Sequence, residues 1–144
     1  MKTLYFLLTI LFLSFAPAPE CGDGNVYANA TQTQNDNRFA DYTKIDGIPE
    51  YKGGEKKLDK LILAQLKLSD VAKTQIFNLN FQFTVTCDGK IKDVKQIGDP
   101  KANDWTNIVE IIQGTEGSWT PAKKDGQPVD CIYFDKVFIN GSKY

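Results

Sequence analysis

The chain has 144 residues, 42% of them hydrophobic and 24% charged, with 17 basic against 18 acidic side chains. That length and balance fit one small globular domain, and a near-zero charge without a basic stripe excludes the usual footprint of a nucleic-acid binder. Histidine is absent, which removes the commonest general base and the commonest zinc ligand.

The chain opens on Met1-Lys2 and an apolar run over residues 4–16. Spanning a bilayer takes about twenty apolar residues, and this run is shorter. It predicts a secretory signal peptide over residues 1–18 and a periplasmic or secreted location. Residues 19–47 are rich in Asn, Thr, Gln, Asp and Gly, a composition that buries too little to order itself. A flexible polar arm is expected there, with Asn29-Ala30-Thr31 matching a glycosylation acceptor.

Residues 55–68 predict a first helix: Leu58, Leu61, Ile62 and Leu66 recur at helical spacing, and Leu63 and Leu68 widen the apolar face. Residues 77–87 change period. Phe77, Leu79, Phe81, Phe83, Val85 and Cys87 alternate with Asn78, Asn80, Gln82, Thr84 and Thr86, as in a strand with one dry and one wet face. Asp88-Gly89 supplies a tight turn. A second strand follows over residues 90–97, where the three-residue steps between Ile91, Val94 and Ile97 predict a bulge near Lys92-Asp93. Asp99-Pro100 and Asn103 are helix-start signals. Trp105, Ile108, Val109 and Ile112 mark one face of a second helix, and Gly114 ends it.

Trp119-Thr120-Pro121-Ala122 should be extended, with Trp119 packed under the sheet edge, and residues 123–126 should form a solvated turn. The last strand, residues 129–140, places Val129, Cys131, Tyr133, Val137 and Ile139 on one face and Ile132, Phe134 and Phe138 on the other. A strand apolar on both faces is central or meets a partner. The order helix, strand, strand, helix, strand predicts an α+β fold. A helical crossover makes the second and third strands parallel, which gives a three-stranded sheet of order 2-1-3 with two helices on one face.

There are three cysteines and no Cys-x-x-Cys, so no metal or redox motif is indicated. Export permits a disulfide. Cys21 lies near the leader, which leaves Cys87 and Cys131 as the natural pair, at the end of the first strand and the start of the third. Such a bridge is worth about 4 kcal/mol in the chain-entropy model. The alternative is two buried thiols.

Tyr51-Lys52-Gly53-Gly54-Glu55, Phe83-Thr84-Val85-Thr86-Cys87-Asp88-Gly89-Lys90-Ile91-Lys92-Asp93-Val94, Trp119-Thr120-Pro121-Ala122, Gly126-Gln127-Pro128-Val129 and Phe138-Ile139-Asn140-Gly141 come in this order. Together they resemble a TonB C-terminal domain of the type found in Bacteroidota. The resemblance covers residues 48–141, within an expected domain of residues 48–144. It implies a small three-stranded antiparallel sheet with helices on one face. The family passes proton-motive force from the inner membrane to outer-membrane receptors. The resemblance therefore implies strand addition, in which an extended segment of an outer-membrane receptor pairs with the edge of the last strand.

The partner-binding residues so implied are Cys131, Ile132, Tyr133, Phe134, Val137, Phe138 and Ile139, with Ile132, Phe134 and Phe138 as side-chain contacts. The chain departs from a full transducer: its apolar leader is short, and its arm of about two dozen residues reaches at most ~90 Å. A free-standing, exported TonB-like binding domain is the better description. Two alternatives remain open: a module that self-associates as a homodimer through the last strand, and a membrane-anchored transducer with an uncleaved leader.

No nucleophile motif and no phosphate loop point to an enzyme, and no cofactor is indicated. Asp88, Asp93, Asp99 and Glu110 read as turn, cap and surface groups. Asp23 and Asp125 lack the ligand series of a calcium loop.

Overall fold

A computed structural model describes residues 21, 25–28 and 45–144. The expected leader and the Asn29-Ala30-Thr31 pattern lie outside the described residues. The elements are β1 (Val26–Ala28), β2 (Glu50–Tyr51), α1 (Glu55–Gln65), β3 (Ile76–Val85), β4 (Ile91–Ile97), α2 (Ile108–Gln113), β5 (Trp119–Thr120), β6 (Ala122–Lys124) and β7 (Gln127–Asn140).

The main sheet runs β1-β7-β3-β4, with β6 also paired to β7. The fold is α+β, and β3 is antiparallel to both β4 and β7. That reproduces the expected order of the three long strands. The sheet is nevertheless five-stranded rather than three-stranded. It is mixed, because β1 pairs in parallel with β7. β1 and β6 are three residues each, too short to leave a periodic signal.

The alternation in β3 does what a period of two requires. Leu79, Phe81, Phe83 and Val85 point to one face and are buried, together with Tyr133, Val137 and Ile139 of β7. Leu58, Ile62 and Leu66 from the first helical segment and Ile108, Ile111 and Ile112 of α2 close over that same face. Each fully buried aromatic or branched side chain contributes roughly 1.5–3 kcal/mol. Trp119 completes the core, edge-on to Phe83 at 5.1 Å and to Tyr133 at 4.9 Å between ring centroids. Its Nε1 donates to Thr115 Oγ1 at 2.9 Å, so its polar end is satisfied inside.

The bulge falls where the three-residue steps place it. Gln82 pairs with Lys95 but Thr84 with Lys92, which leaves one extra residue on β4. Asp93 takes the left-handed conformation at φ 54°, and Val94 packs against the core. Both helices are shorter than their periodicity. α1 stops at Gln65 although Leu66 and Leu68 continue the pattern. The reason is tertiary: Asn107 Nδ2 donates to the Gln65 carbonyl at 3.3 Å, and its Oδ1 accepts from Lys67 N–H at 2.8 Å. Leu63 does not widen the apolar face; it is 41% exposed. Asp99 caps a 3-10 turn, Pro100–Ala102, and α2 starts only after Asn107. Gly114 ends it as expected.

The Cys87–Cys131 bridge is not formed. Cys21 pairs with Cys87, at a Cα separation of 5.3 Å, and Cys131 is a buried thiol outside that bridge. Strand register is the cause. Val85, not Cys87, lies opposite Cys131, and β3 ends before Cys87, which belongs to the turn. Cys21 is therefore tied to the folded domain. Within the stretch expected as a polar arm, Tyr27, Ala28 and Ile45 are buried, and Tyr27 and Ile45 join Ala122, Val129 and Cys131 in a second small core.

Candidate functional site: the outer rim of β7

β7 is central at one end and peripheral at the other. β3 follows it on one side from Cys131 to Asn140. On the other side β1 covers Asp130, Cys131 and Ile132. Beyond them, residues 135–140 meet no strand among the described residues.

The hydrogen-bonding sense of this rim follows from one bond. Gly141 N–H donates to the Gln75 carbonyl at 2.8 Å, towards β3. The register between β3 and β7 then runs unbroken from Asn140 to Cys131. In an antiparallel ladder the bonding direction alternates along the strand. Lys136, Phe138 and Asn140 therefore turn their backbone N–H and C=O groups outward, away from β3. An unpaired strand rim of this kind is a template for another backbone.

The rim has one internal guard. Lys136 N–H donates to Asp135 Oδ1 at 2.7 Å. Asp135 occupies an inward position of β7, opposite Phe81, where its neighbours in the alternation are core residues. Burial, aided by the nearby Asp59 and Glu55 carboxylates of α1, pushes it up to about 6; the bond from Lys136 N–H pulls in the opposite direction. Burial and the Asp135 charge also raise the Tyr133 hydroxyl well above its ordinary value.

The residues singled out from the sequence separate by face. Cys131, Tyr133, Val137 and Ile139 are buried in the core. Ile132 and Phe134 are half-buried on the open face of the sheet, and Phe138 on that face is 65% exposed. Ile132 and Cys131 lie where β1 already sits. Sequence reasoning did not single out Asp135, Asp59 and Glu55. Asp135 was visible as the one charged residue in the odd-numbered apolar series of the last strand.

A second cluster is structural. The sulfurs of Cys21 and Cys87 lie beside the Asp130 carboxylate, but the sulfurs are bonded to each other. Asp130 accepts from Cys87 N–H at 2.9 Å and from Lys92 Nζ at 2.6 Å, and that second bond raises the Lys92 ammonium above its usual range. This group staples the β3–β4 turn to the start of β7. Such a disulfide fits an oxidising compartment. Among the described residues no helix is long and apolar enough to cross a membrane.

Comparison of the chain with protein-family models, with curated proteins and with solved structures finds no match in any of the three.

Proposed function

We propose that this chain is an exported, TonB-like binding domain of the cell envelope. It takes an extended segment of an outer-membrane receptor onto the outer rim of β7 by strand addition and is not catalytic. The observation that supports this reading is the outward-facing backbone of Lys136, Phe138 and Asn140, which meets no strand among the described residues, on a strand with regular register. Main-chain hydrogen bonds supply affinity in such a complex, and alternate side chains supply specificity. Phe138, exposed on the open face beside that rim, is placed to cover one face of a guest strand.

The test is a titration of the labelled protein with extended receptor-plug peptides, followed through its amide spectrum. The expected result is perturbation of the Lys136, Phe138 and Asn140 amides together. An unchanged spectrum over those residues at millimolar peptide ends the proposal.

A second copy of the chain is the competing occupant, favoured by the exposure of Ile76 and Phe138. Sedimentation of the peptide-free protein separates the two readings. A monomer at tens of micromolar leaves the rim to a foreign guest, and a dimer protecting the Lys136–Asn140 amides from exchange gives it to self-association.

A further inference from the structure

Strand addition at β7 requires the Lys136 N–H, and that donor is already engaged by the Asp135 carboxylate. A guest carbonyl has to displace this acceptor. The displaced carboxylate then needs a new partner, because it is half-buried beside two others. No described ion pair involves Asp135, Asp59 or Glu55. The Lys136 ammonium, as distinct from its N–H, acts on Asp135 only weakly; it lies at the next position of β7, whose side chain projects to the opposite face of the sheet. Three carboxylates without a described ion-pair partner therefore flank the rim on its helix side, Asp59 and Glu55 on a helix that also carries Lys56, Lys57 and Lys60, next to the outward-facing backbone groups.

We propose that the outer rim of β7 selects an extended segment carrying a lysine or arginine on its helix-side face. The cation takes the Asp135 carboxylate, with Asp59 and Glu55 beside it, and the Lys136 N–H passes to the guest's carbonyl. The inference rests on the strand-addition reading and adds the charge of the partner to it. A bond from the guest's cation replaces the one that the Asp135 carboxylate gives up, so a basic guest restores a charge-assisted partner when the guard opens. An uncharged guest strands a partly desolvated carboxylate. Lys136, on the other face, disfavours a second basic residue at the adjacent guest position.

The experiment uses the full chain and two ten-residue alternating peptides that differ at one helix-side position, lysine in one and glutamine in the other. At pH 7.5 the lysine peptide is expected to bind about tenfold more tightly, with both peptides shifting the Lys136, Phe138 and Asn140 amides. The ratio should fall towards one in Asp135→Asn, and also at pH 5, where Asp135 is mostly neutral while the peptide lysine stays charged. A Glu55→Gln/Asp59→Asn variant, altered at exposed Glu55 and half-buried Asp59 of α1, should lower the ratio in part. Equal affinities at pH 7.5, with the same amides shifted, overturn charge selection and leave strand addition standing. Shifts from neither peptide overturn both.

Discussion

The main sheet has two long outer strands, β4 and β7, and they are finished differently. β4 is broken in the middle by the bulge at Asp93. It carries exposed Lys92 and Lys95 beside the bulge, and its first N–H, on Ile91, donates to the Glu116 carboxylate at 3.3 Å. A bulge, lysines and an occupied donor are standard ways to make an edge unfit for pairing. β7 has no bulge against β3 over ten paired residues. Among the described residues it is otherwise covered by β6 over residues 127–129, by β1 over residues 130–132 and by a carboxylate over Lys136. A continuous ladder with a removable guard can accept a strand, whereas a kinked one cannot. That difference, rather than exposure, is why the proposed strand addition is placed on β7 and not on β4.

The largest effect should come from uncovering the protected end of β7. Cys21→Ser removes a bridge that closes 66 residues of chain, worth about 4 kcal/mol in the loop-entropy model. The urea midpoint of the oxidised protein should fall accordingly, and amide protection at Cys131 and Ile132 should fall before that of β3. A midpoint unchanged by the substitution would mean that β1 is held by its side chains alone.

Next comes the far end of the same strand. A Cβ on Gly141 would lie 2.0 Å from the Ala72 carbonyl oxygen and 2.8 Å from the Lys73 backbone. Neither can move aside as a flexible side chain does. Gly141→Ala is expected to cost about 2–3 kcal/mol, with loss of exchange protection over residues 137–141. Full stability in the alanine variant would show that β7 tolerates slack at its end.

On the opposite edge, Asp93→Val places a β-branched residue at φ 54°, and the penalty should be about 1–2 kcal/mol. If β4 instead straightens to escape it, the bulge is lost, and increased self-association in sedimentation would report a second usable edge.

The smallest effect is at the guard. The folded-state value of Asp135 is raised from 3.8 to about 6. A carboxyl with a raised value binds its proton more readily in the native state. Its ionisation therefore lowers stability as pH rises from about 4 to about 6. Asp135→Asn should be more stable than the parent at pH 7.5, by about 1 kcal/mol once solvent screening is allowed for, and equal to it near pH 4. Thermal unfolding at the two pH values checks this; a constant difference would remove the charge of Asp135 as the cause.

Much of this comparison was legible in the residues. The alternation from Phe77 to Val85 gave the core strand and its face. The three-residue steps in Ile91, Val94 and Ile97 placed the bulge. What escaped was whatever depended on contacts distant along the chain. The Cys87–Cys131 pair fails on the register of β3 against β7, in which Val85, two residues before Cys87, lies opposite Cys131. β1 lies in a stretch whose composition reads as an arm, and it is held by the bridge and by the burial of Tyr27 and Ala28. The end of α1 is set by Asn107, forty residues away from the Lys67 N–H it accepts.

The sequence by itself settled which residues form the three long strands, which of their faces is dry, and that two helical segments roof them. Side-chain periodicity is a local property, and solvent reads it directly. Tertiary structure alone decided which part of β7 the described strands cover, which cysteines meet, and which carboxylates gather beside its outer rim. Those outcomes depend on strand register and on groups brought together across the fold, and neither is written in the spacing of any one segment.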